Sequence, residues 1–320
     1  MKRLFLKSIL YVFLIIICLE LIVRVFHLYS EAPIRFIDNQ GVEKSLPNQT
    51  GFAVTGNRRQ NFSKYHINSS GFNSYREFKP TKNKIEIAII GDSFIEGMHQ
   101  DYYNSIGKKL EEKLSNVEVY EYGYAGYDLS NQLYLINTYK KDFDLIDHII
   151  IYFKYENDLV NGSYTPNNER VAMLKSPLFR IRDEFKLLKY VSDNGIIDPI
   201  KNFVINLTTK RKIDKLQKDE KDAQLNKDLI YLENFKKLVS TYGFDKRKIS
   251  FLLNSKTTSN IFLDYCTLNG YQIIDFADAF ENSKRRTTLI YDMHWNNQGR
   301  ELIATVIAEH FKKIMQLNNL

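Results

Sequence analysis

From about residue 84 onward, the apolar positions of the chain follow two alternating periods. Short apolar or alternating runs predict strands over 84–90, 117–122, 145–153, 249–254 and 271–280. Apolar residues at helical spacing predict helices over 105–115, 129–139, 259–270 and 298–315. Strands that alternate with helices of about a dozen residues imply βαβ crossovers. The pattern therefore predicts an α/β fold with a five-stranded parallel sheet and helices on both faces.

Two segments depart from this alternation. Residues 31–84 are polar and rich in glycine and proline, which predicts a linker followed by a flap. Residues from about 160 to 245 contain turn-rich sequence and then a long charged helix. Apolar residues of that helix recur at helical spacing, namely Leu225, Leu229, Leu232, Phe235 and Val239. This stripe favours a helical insertion that packs on the core, and a lid or a partner-binding arm is the alternative.

An apolar run at the N-terminus extends from Ile9 to Val23 and is interrupted only by Glu20. It is about as long as a membrane-spanning helix, and the three basic residues before it, Lys2, Arg3 and Lys7, predict a cytoplasmic N-terminus. We expect an uncleaved signal anchor with the remaining chain in the periplasm or outside the cell. A cleaved leader is one alternative. A buried soluble helix is another, because Glu20 and Arg24 are costly in lipid.

The predicted organisation is a membrane anchor over 1–30, a linker and flap over 31–84, and the α/β domain over 85–320. The chain has 320 residues, of which 44% are hydrophobic, enough for one large core with an insertion. Its net charge is +7, and nearly half of this excess lies in the first 30 residues. The remaining charge is spread along the chain, which argues against nucleic acid as a partner. Cys18 lies in the apolar run, so we expect no disulfide with Cys266, the second of the two cysteines.

A serine follows the first strand of the predicted sheet. In "IAIIGDSFIEG", residues 87–97, the apolar strand leads directly into Asp92 and Ser93. Ligands of open α/β sheets bind beyond the carboxyl ends of the strands, which makes Ser93 a candidate nucleophile. A turn with a helix-capping serine is the alternative. The motif is not the Gly-x-Ser-x-Gly of the α/β-hydrolase elbow.

A serine hydroxyl needs a base, and His294 is the best placed of the six histidines. His294 lies in the loop before the last helix, and Asp292 precedes it by two residues, so both side chains project to one side of an extended segment. Asp292 could then hold the imidazole and stabilise its charged form. There are two alternatives. Asp292 could cap the last helix beside a half-buried His294, or the two residues could bind a metal, although no further His or Cys clusters with them. His99 is predicted at the exposed start of a helix.

Two further strand ends offer donors for an oxyanion. Gly126 in "EYGYAGYDLSNQ" can present its backbone N–H, and Asn157 in "YFKYENDLVNG" can present a side-chain amide. Both segments could equally be turns. Tyrosines crowd the same loops and could stack on sugar rings, namely Tyr122, Tyr124, Tyr127, Tyr152 and Tyr155.

These four segments resemble the signature blocks of the SGNH hydrolases, the GDSL-type lipases and esterases. "GDSFIEG", "GYAGY", "YENDL" and "YDMHWN" occur in the order of those blocks, and "YHINSSGF" resembles the flap before the first. The similarity covers roughly residues 65–310, apart from 160–245. It implies a flavodoxin-like three-layer α/β/α fold, a Ser93–His294–Asp292 triad, and an oxyanion hole of the Ser93 N–H, Gly126 and Asn157.

The chain departs from the family pattern at three places. Glu121 stands where the second block usually has asparagine, Tyr155 and Glu156 lie where the third usually has glycine, and only Met293 separates Asp292 from His294. The family implies an ester hydrolase that needs no metal or cofactor. With the anchor, we expect an O-acylated envelope carbohydrate or a small ester as substrate. An O-acyltransferase and a catalytically idle binding module are the alternatives.

Overall fold

The computed structural model describes residues 1–196, 198 and 220–317, and the chain divides into two compact units. The smaller unit comprises Met1–Ala32, Phe52–Phe62 and the described part of Asn168–Gln217. The larger unit comprises Pro33–Gly51, Ser63–Asn167 and the described part of Lys218–Leu320. All residues of the predicted catalytic site belong to the larger unit.

The N-terminal segment forms helix α1, Lys2–Val25, which is long and apolar enough to cross a membrane, as predicted. After it, the predicted flap contains four short strands that the sequence pattern did not reveal. β1 (Arg35–Ile37) pairs with β2 (Glu43–Ser45), and β3 (Thr50–Thr55) pairs with β4 (Asn61–His66). Strands of three to six residues are too short to establish a period of two against the surrounding turns.

Five parallel strands form the main sheet and confirm the predicted fold. They are β5 (Ile85–Gly91), β6 (Val117–Gly123), β7 (His148–Tyr152), β8 (Ile249–Leu253) and β9 (Gln272–Asp275). Their spatial order, β6-β5-β7-β8-β9, is the flavodoxin-like order. The strand predicted over 271–280 ends at Asp275, because the Asp275 carboxylate accepts the N–H of Ala277 at 2.9 Å and begins a helix there.

The described helices after α1 are placed between and after these strands. They are α2 (Ser93–Glu96), α3 (Ile106–Lys113), α4 (Leu129–Thr138), α5 (Lys140–Phe143), α6 (Tyr155–Asp158), α7 (Asn168–Leu174), α8 (Pro177–Glu184), α9 (Lys186–Asp193), α10 (Glu220–Tyr242), α11 (Asn260–Leu268), α12 (Ala277–Glu281) and α13 (Asn297–Leu317). Short 3₁₀ turns cover Tyr102–Asn104 and Ser255–Thr257.

Both faces of the sheet are covered. On β5, Ile87 and Ile89 belong to a buried cluster with α3 and α13, whereas Ala88 and Ile90 belong to a second cluster with α4, α10 and α11. Each fully buried isoleucine contributes roughly 1.5–3 kcal/mol to the stability of the fold. Burial on both faces explains why the strand reads as a continuous apolar run.

The predicted apolar stripe of the insertion is partly wrong. Phe235 lies in the core as expected, but Leu225 and Leu229 are exposed. Leu232 and Val239 also pack against the core. The buried face of α10 further includes Asp228, Tyr231 and Leu238, and the Asp228 carboxylate accepts hydrogen bonds from the hydroxyls of Tyr155 and Ser259. The predicted start of this helix, residues 212–219, lies outside the described residues.

A glycine at the end of β6 allows α2 to pack against the sheet. Gly91 of β5 and Gly123 of β6 are register partners. A Cβ at Gly123 would lie 1.9 Å from the backbone nitrogen of Glu96 and 2.3 Å from the carbonyl carbon of Ile95. Only a residue without a side chain therefore lets the backbone of α2 rest on this strand end.

We predict that Gly123→Ala displaces α2, and Ser93 with it. Overpacking of this kind costs about 1–3 kcal/mol, so the melting temperature should fall by roughly 5 °C. Gly162→Ala is the matched control, because the nearest neighbours of its Cβ would be side-chain atoms, of Asn234 at 2.6 Å and of Lys237 at 3.5 Å. Equal melting temperatures for the two variants in scanning calorimetry would contradict this packing argument.

Candidate active site

Ser93 is the first residue of α2, directly beyond the carboxyl end of β5. Asp92 caps the helix, with its Oδ1 accepting the N–H of Phe94 at 2.8 Å. Gly97 ends the helix after one turn at φ +67°, in the left-handed region that favours glycine. The Asp-Ser-x-x-x-Gly spacing thus builds a single helical turn that holds Ser93 half-buried at the edge of the sheet.

The three predicted triad residues are in contact. His294 Nε2 lies 2.7 Å from Ser93 Oγ, although 201 residues separate them in the chain. His294 Nδ1 hydrogen-bonds to Asp292 Oδ1. With its proton on Nδ1, the imidazole presents Nε2 as the acceptor for the serine proton. The arrangement can therefore take a proton from the Ser93 hydroxyl.

The Asp–His contact arises from a bend, and not from the extended segment that the sequence suggested. The backbone N–H of His294 donates to Asp292 Oδ1 at 2.9 Å, so one carboxylate oxygen holds both the backbone and the ring of His294. Met293 points away and is 75% exposed, as predicted. This local turn explains how a single intervening residue suffices.

Hydrogen bonding keeps Asp292 ionised. Burial alone would raise the pKa of the Asp292 carboxyl, but hydrogen bonds from the His294 backbone and ring lower it below its ordinary value. An ionised carboxylate is the form that stabilises an imidazolium.

A second histidine, which the sequence placed wrongly, binds the same carboxylate. His99 is half-buried, and its Nε2 lies 3.1 Å from Asp292 Oδ2. Its ring stacks on His294 with centroids 4.0 Å apart. Burial, together with the nearby His294, lowers the pKa of His99 to about 4, so His99 is neutral and donates an N–H to Asp292. No spacing rule predicts this, because it depends on Gly97 ending α2 and turning the chain back.

His99, Asp292 and His294 also form a group whose ligand atoms lie within 4.8 Å of one another. The sequence had suggested no further ligand beside Asp292 and His294. A metal lies about 2.0–2.1 Å from a ligating ring nitrogen and near the plane of that ring. The two rings are inclined by only 18° and stacked, so a point close to both nitrogens cannot lie in both planes. The geometry therefore favours the hydrogen-bonded triad.

The predicted oxyanion segments follow the two strands that flank β5. Gly126 lies three residues beyond β6, and Asn157 lies on α6, beyond β7. Gly126 adopts φ +96°, within a turn in which the N–H of Tyr127 donates to the carbonyl of Tyr124 at 3.0 Å. The topology thus places these two segments on either side of the Ser93 strand. The side chain of Asn157 is exposed.

A residue of the flap fixes the loop after β6. Arg35 donates through Nη1 to the carbonyl of Ala125 at 3.1 Å and through Nη2 to Glu96 at 3.0 Å. The Ala125 C=O and the Gly126 N–H belong to one planar trans peptide group and point in opposite directions. The hydrogen bond from Arg35 to the carbonyl therefore also fixes the direction of the Gly126 N–H. Arg35 therefore ties the Gly126 loop to the helix that carries Ser93, a role that sequence spacing did not indicate.

The tyrosines proposed as sugar-stacking groups lie in the core. Tyr122, Tyr124, Tyr127, Tyr152 and Tyr155 are all buried, so the expectation of sugar stacking is wrong. Their aromatic character serves packing between the sheet and its helices.

No protein-family model and no curated protein matches the chain. Solved structures similar to it include a lipolytic protein of the G-D-S-L family from Veillonella parvula, with 16% identity, a TM-score of 0.37, and coverage of 71% of this chain and 98% of that one. A lipase/acylhydrolase from Enterococcus faecalis has 11% identity, a TM-score of 0.41, and coverage of 71% and 95%. A carbohydrate acetylesterase family member from Sinorhizobium meliloti has 12% identity, a TM-score of 0.37, and coverage of 72% and 99%. Such values are too low to assign a function.

We predict that His99→Leu slows the attack of Ser93 on p-nitrophenyl acetate by about 10- to 100-fold, since a hydrogen bond to a charged group contributes roughly 1.5–3 kcal/mol. His310→Leu, on α13, is the control and should leave the rate unchanged. Stopped-flow release of p-nitrophenol measures the rate of each variant. A shift in the pH profile of that rate indicates an effect on the Asp292–His294 pair, whereas a loss of folded protein lowers the rate equally at every pH. An unaltered rate and pH profile in His99→Leu would show that the second histidine does not position Asp292.

Proposed function

We propose that this chain is a serine ester hydrolase of the SGNH type that acts through an acyl-enzyme. The observation that carries the proposal is the 2.7 Å contact between His294 Nε2 and Ser93 Oγ, with Asp292 behind the imidazole. The flavodoxin-like sheet and the four ordered sequence blocks support it. A triad is recognised by such geometry and roles.

The chemistry follows from these positions. Ser93 Oγ attacks the ester carbonyl carbon while His294 Nε2 takes the hydroxyl proton. The Ser93 and Gly126 N–H groups and the Asn157 amide stabilise the oxyanion. The imidazolium then gives its proton to the leaving alkoxide, and an acyl-enzyme remains. Water attacks this ester, again giving a proton to His294, and the carboxylic acid and the free Ser93 hydroxyl are released.

We further propose that the substrate is an O-acylated carbohydrate of the cell envelope, or a small ester. Helix α1 supports this location, since its length and apolar character suit a single membrane span. The basic residues Lys2, Arg3 and Lys7 favour a cytoplasmic N-terminus, which supports a larger unit in the periplasm or outside the cell. The residues named above supply the nucleophile, base and oxyanion donors, so the proposed reaction requires no metal or cofactor.

An O-acyltransferase would use the same acyl-enzyme but release it to a sugar hydroxyl. The two activities differ in whether water is excluded when the acceptor binds. A catalytically idle binding module is disfavoured, because the three triad side chains are present and hydrogen-bonded.

We predict that Ser93→Ala in the detergent-solubilised full-length protein lowers hydrolysis of p-nitrophenyl acetate by at least about 1,000-fold, because loss of the nucleophile removes the covalent route. The melting temperature should stay near that of the parent. Ser240→Ala, an exposed serine of α10, is the control and should keep full activity. If Ser93→Ala retains most of its activity, another group is the nucleophile.

The products formed by the parent protein distinguish hydrolysis from transfer. Release of free acetate in the presence of an added sugar favours hydrolysis, and acetylation of that sugar favours transfer.

A further inference from the structure

The helices α8 and α9 of the smaller unit expose an apolar stripe. Leu178, Ile181, Phe185 and Leu188 are 79%, 51%, 57% and 41% exposed. Leu178 and Ile181 lie one turn apart on α8, Phe185 lies at the junction beside Ile181 in the same surface hollow, and Leu188 lies on the first turn of α9. A continuous row of large apolar side chains in water is typical of a surface that binds a partner or a membrane.

The junction of these helices is attached to α1. The Glu20 carboxylate accepts the N–H groups of Lys186 at 3.0 Å and Leu187 at 2.6 Å, the first two residues of α9. Arg24 Nη2 donates to the carbonyl of Glu184, the last residue of α8, at 2.7 Å, and Arg24 also pairs with Glu20. A carboxylate at a helix N-terminus is favourable. Glu20, which interrupts the apolar run, and Arg24, which follows it, are therefore both bound to the α8–α9 junction.

This attachment fixes the position of α8 and α9 along the axis of α1. A span of about 20 apolar residues crosses the hydrocarbon core, and the apolar side chains of α1 other than Val23 are exposed. The apolar run of α1 begins at Ile9, after Lys7, and ends at Val23, so Glu20 and Arg24 lie at its C-terminal end. The α8–α9 junction therefore lies where α1 leaves the membrane.

Exposed cations lie on the same unit. Arg58, Arg59, Lys175 and Arg180 are exposed, and Arg180 lines an open cavity of about 340 Å³ together with Pro177, Ile181, Glu184 and Phe185. A mainly apolar hollow with a guanidinium at its edge suits a lipid tail with its phosphate. Basic residues beside an apolar helical stripe are typical of helices that lie in the membrane interface.

We propose that α8 and α9 form an interfacial helix pair that lies on an anionic bilayer beside α1, with the apolar stripe inserted at the boundary between headgroups and acyl chains. The inference rests on the proposed membrane span of α1 and is independent of the proposed esterase activity. In this arrangement Glu20 and Arg24 attach the helix pair to α1. The described helices of the segment 168–196, which matches no block of the SGNH family, bind the membrane surface.

The test uses the full chain with Cys18→Ala and one new cysteine carrying the dye NBD, at Ile15, Phe185 or Asp193. Cys266 can remain, because it is buried and burial raises the pKa of its thiol to about 12. The proteins are placed in vesicles of phosphatidylcholine and phosphatidylglycerol, with or without nitroxide-labelled lipid. We expect the nitroxide to quench the probes at 15 and 185, the latter at least about twofold more than the probe at 193.

The probe at Ile15 separates the two hypotheses. If it is quenched while the probe at 185 is quenched no more than the one at 193, α1 spans the membrane but the interfacial helix pair is disproved. If the probe at 15 is not quenched, the membrane span fails and the inference fails with it.

The variant Glu20→Leu tests the attachment to α1. Because it frees the N-terminus of α9, it should reduce quenching at 185 and leave quenching at 15 unchanged. Equal quenching at 185 with and without Glu20 would contradict the proposed attachment.

Discussion

The hydrogen bond between the His294 ring and the Ser93 hydroxyl is the interaction on which the site depends. It joins the end of the first strand of the sheet to the loop before the last helix, 201 residues away. Two features of the fold make it possible. Gly123 lets α2 rest on the neighbouring strand, and Trp295, buried next to His294, packs against Phe94 with ring centroids 4.9 Å apart. The packing of Trp295 thus fixes the loop that carries the imidazole.

The Asp292 carboxylate links two imidazoles in one network. One of its oxygens holds His294, and the other accepts from His99, which burial keeps neutral. A neutral donor fixes the carboxylate without competing with the charge that forms on His294 during catalysis. Arg35 acts in a similar way on the loop of Gly126, which it holds through the carbonyl of Ala125.

Sequence patterns predicted the elements whose signals are local. The sheet was predictable because its strands are buried on both faces. Asp292 and His294 were predictable because they are two residues apart in the loop before the last helix. His99, Arg35 and Glu20 were not, since each acts through a contact with residues distant in the chain. The stripe on α10 holds for Leu232, Phe235 and Val239 but fails for Leu225 and Leu229, because the turn that contains them buries Asp228 with its hydroxyl partners.

Covalent modification of the intact protein tests whether His294 activates Ser93 as a nucleophile. A serine activated by His294 reacts with a fluorophosphonate, whereas an ordinary surface serine does not. We predict one adduct per chain by mass spectrometry, located by peptide mapping on Ser93 and lost in His294→Ala. An unmodified protein, or an adduct at another residue that persists in His294→Ala, would contradict it.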